Sequence, residues 1–233
     1  MVRRTPGSFL FPLAIMLLVG MGLTGCGNEA ALEQRPVKPP ATPSTAGMTI
    51  VAVGDSLTAG YGVDESQAYP ARLQEKLSAE GYIVNVVNAG VSGETSSGTL
   101  SRIEWVIANL KPDMILLETG ANDGLRGIDP AILSDNLDRI ISIIKNAGIP
   151  VILCGMRMLP NLGPGYTRAF NGIYPEISRK HAIPLIPFFL EGVAGKPHLN
   201  QADRLHPTAE GYLRIVDHIL PYVLTAVKSL PQR

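Results

Sequence analysis

The sequence predicts one three-layer α/β/α domain, built on a five-stranded parallel sheet, over residues 48–233. Three observations carry that expectation. Short apolar runs alternate with longer amphipathic segments. The runs are continuously apolar rather than alternating in and out, which is the pattern of strands covered on both faces. The intervals between them hold the dozen or more residues that a crossover between parallel strands requires.

Strands are expected at residues 49–53, 82–87, 114–118, 151–154 and 183–186, all rich in Val, Ile or Leu. Helices are expected at 69–79, 100–110, 130–147 and 167–181, with a closing helix at 207–227. In the third of these, Leu133, Leu137, Ile140, Ile141 and Ile144 fall on one stripe. Gly81 and Gly148 follow helical segments and fit left-handed C-caps, while Asp129-Pro130 pairs an N-cap with proline at the first helical position. Hydrophobic residues make up 45% and charged residues 17% of the 233-residue chain, enough for a large core and unlike a disordered or repetitive polymer.

Lys plus Arg and Asp plus Glu both number 20, and no basic block or aromatic-basic stripe interrupts that balance, which argues against a nucleic-acid partner. His181, His198, His206 and His218 match no metal-ligand spacing and the two cysteines form no C-x-x-C, so no metal and no other cofactor is expected.

Residues 1–25 read as a lipoprotein signal peptide. Arg3 and Arg4 precede an apolar run at 9–19, which is shorter than the ~20 residues that span a bilayer. Leu23-Thr24-Gly25-Cys26 resembles the bacterial lipobox. That resemblance implies that Cys26 receives a diacylglycerol, becomes the first residue of the mature chain and anchors it extracytoplasmically, each buried CH₂ contributing about 0.8 kcal/mol. Gly27, where aspartate would favour inner-membrane retention, points to the outer membrane. Residues 26–47, with Pro36, Pro39, Pro40 and Pro43, have the composition of a semi-extended tether. With Cys26 acylated, Cys154 has no partner in the chain, and its apolar neighbours suggest a buried thiol.

In parallel α/β sheets ligands bind at the carboxyl ends of the strands, so polar residues there carry the chemistry. Gly54-Asp55-Ser56-Leu57-Thr58-Ala59-Gly60 follows the first strand. It is not a G-x-S-x-G elbow, because Gly60 stands four residues beyond Ser56. Asn88-Ala89-Gly90-Val91-Ser92-Gly93-Glu94-Thr95 follows the second strand and Gly120-Ala121-Asn122-Asp123-Gly124 the third. Asp203-Arg204-Leu205-His206-Pro207 precedes the last helix.

These four blocks, in this order, resemble the SGNH (GDSL) hydrolases across essentially all of residues 48–227. The resemblance implies a flavodoxin-like sheet order, with Ser56 as nucleophile, His206 as general base and Asp203 orienting the imidazole. It also implies an oxyanion hole of the Ser56 and Gly93 N–H groups and the Asn122 side-chain amide. Chemistry independently asks for such a set, since a serine hydroxyl needs an adjacent base and the base needs an acidic partner to fix its tautomer. Arg204 departs from the family pattern, standing where glycine is frequent.

The segments Asn122-Asp123-Gly124-Leu125-Arg126-Gly127 and Pro187-Phe188-Phe189-Leu190-Glu191-Gly192-Val193 resemble the thioesterase I / lysophospholipase L1 / arylesterase branch. That branch implies acyl esters and thioesters as substrates, an extracytoplasmic site favouring lipid or xenobiotic esters over acyl-CoA. Met156, Met158 and Leu159 are candidates to line an acyl pocket. The mechanism expected is double displacement through an acyl-Ser56 intermediate, with activity falling in acid as His206 is protonated. Two other readings fit the same sequence: an O-deacetylase of carbohydrate or peptidoglycan, and a lipoprotein that binds ligands without catalysis.

Overall fold

The computed structural model describes residues 47–158 and 160–230; the expected signal segment, Cys26, the tether up to residue 46 and Leu159 lie outside them. From Ile50 to Val53 every side chain is fully buried, as a central strand covered on both faces requires. This strand, β1 (Met48–Gly54), pairs in parallel with β2 (Val84–Gly90) and β3 (Met114–Glu118). β4 (Val151–Cys154) and β5 (Leu185–Ile186) complete a parallel five-stranded sheet in the order β2-β1-β3-β4-β5.

The helices are α1 (Ser56–Ala59), α2 (Tyr69–Ala79), α3 (Ser96–Leu110), α4 (Ala121–Leu125), α5 (Pro130–Asn146), α6 (Gly163–His181) and α7 (Ala209–Ser229). α2 packs on α7, whereas α3, α5 and α6 pack in series. Right-handed crossovers explain the grouping, because the chain moves one way across the sheet from β1 to β2 and the other way thereafter, so the helices change face. The expected three-layer fold with five parallel strands is the observed one. The predicted stripe of α5, from Leu133 to Ile144, is fully buried, and Asp129 caps that helix by accepting from the Ala131 N–H at 2.9 Å.

Several boundaries differ from expectation, each for a local reason. β5 is two residues long because Pro184 has no N–H to give and the Ile183 N–H is spent closing α6 on the Ser178 carbonyl. β2 begins at Val84 because the Tyr82 N–H returns to Leu77 O at the end of α2. It then runs on through Asn88, Ala89 and Gly90, which pair with Ala52, Val53 and Gly54 despite their turn-like composition. α7 starts at Ala209 rather than Pro207, its N-cap being Thr208, whose hydroxyl accepts from the Gly211 N–H at 3.2 Å.

Candidate active site

The order β2-β1-β3-β4-β5 places the reversal of chain direction between β1 and β3, which opens a crevice at their carboxyl ends. Ser56 follows β1, Gly93 follows β2 and Asn122 follows β3, so three blocks meet there. Ser56 opens α1, whose N-cap is Asp55: one carboxylate oxygen accepts from the Leu57 N–H at 2.9 Å. The loop before α7 brings His206 over the same spot, its Nε2 2.8 Å from Ser56 Oγ.

The other imidazole nitrogen, Nδ1, lies 2.7 Å from Asp203 Oδ2. Asp203 Oδ1 accepts the backbone N–H groups of His206 at 3.0 Å and Leu205 at 2.9 Å. The backbone and side-chain hydrogen bonds from His206, with that from Leu205, hold the Asp203 carboxyl down at about 2. An ionised Asp203 accepts a hydrogen bond from the Nδ1–H, which fixes the tautomer that leaves Nε2 as an acceptor facing the serine hydroxyl. Arg204, between them, has φ +62°, the left-handed conformation that explains why glycine suits this position. Gln201 secures the loop, its side-chain amide donating to the carbonyls of Tyr61 at 2.7 Å and Pro207 at 2.9 Å. The Tyr61 ring stands 4.6 Å from the imidazole, centroid to centroid.

Val91 to Glu94 forms a tight turn closed by Glu94 N–H donating to Val91 O at 3.1 Å. Gly93, with φ +80°, fills the third position of that turn, where a side chain would be strained. Arg126 anchors the turn by donating to Gly93 O at 2.7 Å. The N–H groups of Ser56 and Gly93 have no partner among the described residues. The Asn122 amide nitrogen donates to Asp55 Oδ2 at 3.1 Å and to Glu94 O at 3.0 Å. Both its hydrogens are therefore engaged, and donation to a substrate oxygen requires a three-centre bond or exchange of the Glu94 carbonyl.

Four residues that hold this geometry were not singled out by the sequence. Asp55 links the start of α1 to Asn122; burial raises its carboxyl from 3.8 to about 6, against the opposing hydrogen bonds from Leu57 and Asn122. Arg102 forks onto Glu94, Nε to Oε1 and Nη2 to Oε2 both at 2.7 Å, and reaches Gly54 O at 3.3 Å. It thus ties the Gly93 turn to the end of β1. Asp123 accepts from the Ser96 N–H at 2.8 Å and from its hydroxyl, which starts α3 four residues before the expected Leu100. No periodicity marks such tertiary caps and clamps; Asp55, Glu94 and Asp123 stand as charged residues inside the chemical blocks, whereas Arg102 lies outside every block and carries no signal.

The candidate acyl-pocket residues separate. Met156 is 3% exposed and belongs to the core rather than to an open wall. Met158 is partly buried and lies close enough to Gly124 that a Cβ there would clash with its thioether. His181 bonds Asp138 and His218 bonds the Phe188 carbonyl, both away from Ser56. Among the described residues no group of three or more His, Cys, Asp or Glu is placed to hold a metal ion.

Residues 52–214 match the model of the GDSL-like Lipase/Acylhydrolase family. The chain belongs to this family. Esterase TesA of Pseudomonas aeruginosa is 41% identical over 77% of this chain and 90% of its own. Thioesterase 1/protease 1/lysophospholipase L1 of Escherichia coli is 38% identical over 72% of this chain and 80% of its own. Among solved structures, the psychrotrophic esterase EstA from Pseudoalteromonas sp., inhibited by monoethylphosphonate, aligns with TM-score 0.74 and 33% identity over 78% of this chain and 99% of that one. As a GDSL-like acylhydrolase with relatives of this kind, the chain is an ester hydrolase.

Proposed function

We propose that the chain is a serine esterase and thioesterase that cleaves acyl esters, of the lysophospholipid and aryl-ester kind, through an acyl-Ser56 intermediate. The carrying observation is His206, which bridges Ser56 Oγ and Asp203 with 2.8 and 2.7 Å contacts. In this reading Ser56 Oγ attacks the acyl carbonyl carbon while its proton passes to His206 Nε2. Asp203 compensates the imidazolium, and the Ser56 and Gly93 N–H groups with the Asn122 amide receive the oxyanion. His206 then gives its proton to the departing alkoxide or thiolate. Water, activated by the same imidazole, releases the acid from Ser56 and restores the site.

Exposed Val91, Leu125, Leu205 and Tyr61, each within a few residues of Gly93, Asn122, His206 or Ser56, give the rim an apolar character that favours acyl chains over acetylated sugars. Met158, against Gly124, extends that surface. The reading also places the enzyme on a bacterial membrane, outer rather than inner, through acylated Cys26 and the proline-rich tether; the sequence of residues 1–47 supports it.

The test is hydrolysis of p-nitrophenyl esters from acetate to palmitate by the chain and its Ser56→Ala variant. Turnover by the wild type alone, with an optimum at medium or long chains, is the expected result. Undiminished activity in Ser56→Ala removes the nucleophile assignment, and an acetate optimum turns the reading toward deacetylation. Metabolic palmitate labelling, lost in Cys26→Ser, tests the anchor.

A further inference from the structure

Directly beneath the turn that carries Ser56, β3 ends in a carboxyl with no exposed atom. Glu118 is 0% exposed. Its Oε2 accepts from Thr58 Oγ1 at 2.8 Å and from the Asp55 N–H at 3.3 Å. Its Oε1 is buried and has no hydrogen-bond partner among the described residues. The fit is close enough that a Cβ on Gly54 would collide with this carboxyl and with Thr58 Oγ1.

Among the described residues no cationic side chain stands among its electrostatic neighbours. Its titratable surroundings are Asp55 before α1, Tyr69 on α2, Cys154 on β4, Tyr174 on α6 and Tyr212 on α7, all neutral or acidic. Arg102 of α3 is the neighbouring base, and its guanidinium is committed to Glu94 and Gly54 O. An unpaired carboxylate so enclosed costs several kcal/mol, whereas the protonated acid keeps a carbonyl oxygen for both donors and leaves only a hydroxyl without a partner. Burial, with the Asp55 charge adding to it, pushes the Glu118 carboxyl well above the usual carboxylate range.

The two groups that Glu118 holds flank Ser56 in the chain. Fixing the Asp55 N–H and the Thr58 hydroxyl fixes the first turn of α1, hence the direction of the Ser56 N–H and Oγ. The Asp55 side chain in turn holds Asn122. We propose that Glu118 is a positioning residue for the hydrolysis, a neutral carboxylic acid that pins the nucleophile turn from below and never touches substrate. The inference rests on Ser56 being the nucleophile.

Steady-state hydrolysis of p-nitrophenyl butyrate by the full chain separates the cases, using Ser56→Ala, Glu118→Gln, Glu118→Leu and Thr58→Val. A carboxamide offers the same acceptor oxygen without charge, so Glu118→Gln keeps kcat within about threefold and the same acid limb of the pH profile. Leucine fills the space and accepts nothing, so Glu118→Leu loses about 10- to 100-fold in kcat with KM nearly unchanged, the scale of a displaced oxyanion donor or a misplaced reacting group. Infrared spectra at neutral pH show a protonated-carboxyl band that is absent in Glu118→Gln.

Wild-type kcat in Glu118→Leu overturns the positioning role. A Glu118→Gln enzyme as slow as the leucine variant, or no such infrared band, overturns the neutral acid. Should Glu118→Leu fail to fold, Thr58→Val removes one of the two donors and lowers kcat several-fold; an unchanged kcat there overturns the proposal equally. Activity surviving in Ser56→Ala is a different failure, that of the nucleophile assignment, and takes this inference with it.

Discussion

Arg204 holds a left-handed backbone, φ +62°, in the middle of the Asp203 to His206 turn. An L-residue pays about 1–2 kcal/mol there, while glycine adds about 0.4–1 kcal/mol of unfolded-state freedom. Strain relief wins, so Arg204→Gly should raise stability by about 0.5–1 kcal/mol, read as a higher Tm, with kcat within twofold. A lower Tm would mean that the arginine side chain supports the loop.

The carboxyls of the site divide the pH axis between them. Asp55 is raised to about 6, so its folded form binds a proton that the unfolded chain has already lost between about pH 4 and 6. Stability from this group is fully present below that window and declines as pH rises through it. Asp203, held down at about 2, contributes the opposite way: its share is present above about pH 4 and is lost as pH falls toward 2. Melting curves should therefore show Asp55→Asn flattening the segment from pH 4 to 6 and Asp203→Asn flattening the segment below 4. Equal slopes in variant and parent would contradict the assignment. Buried Glu118 is shifted in the same direction, well above the usual carboxylate range, and adds slope of the same sign, so some survives in Asp55→Asn.

Between elements, Arg102 on α3 is the member that binds the Gly93 turn to the end of β1. Lysine retains the charge but cannot fork onto both Glu94 oxygens. Arg102→Lys should lower kcat on the order of tenfold and change KM little, because oxyanion donors would shift while the acyl rim stays in place. Michaelis parameters on one ester suffice, and an unaltered kcat would show that the turn holds itself.

This clamp also marks where the sequence stops being readable. β3 and β4 match expectation residue for residue because their apolar runs, buried on both faces, admit one reading. β2 runs past the expected Val87 because Asn88 and Gly90, whose composition is that of a turn, pair with Ala52 and Gly54 of the neighbouring β1. The four chemical blocks were visible, and the structure gathers Ser56, His206, Asp203, Gly93 and Asn122 at one sheet edge. The support is not visible: Arg102, in the second turn of α3, reaches back to Glu94 in the loop before that helix, and Glu118 reads simply as the polar end of a strand. Such roles depend on side chains brought together by tertiary packing, which spacing does not encode.

At the scale of the molecule, the sheet has a working end and an idle end. A cleft of about 790 Å³ lies at the amino ends of β3 and β4, lined by Met114, Ile149, Val151, Tyr222 and Ala226. Its lining is mostly apolar, and its polar groups are spent locally: Lys145, Thr225 and Ser229 donate to the carbonyls of His181, Pro221 and Ala226, whereas a reactive site has polar groups converging on its interior. Ala226→Leu, which narrows it, should leave kcat/KM for long-chain esters within twofold. A selective loss on long chains would mean that the acyl tail reaches through to this end.

β1 runs from Met48 at that idle edge to Gly54 beside Ser56, seven residues. At about 3.3 Å per residue the strand puts roughly 20 Å between the domain's first strand residue and its chemistry. A bead, a resin or a fusion partner joined ahead of residue 47 would therefore load the molecule from behind, leaving its mouth open to the bulk solution.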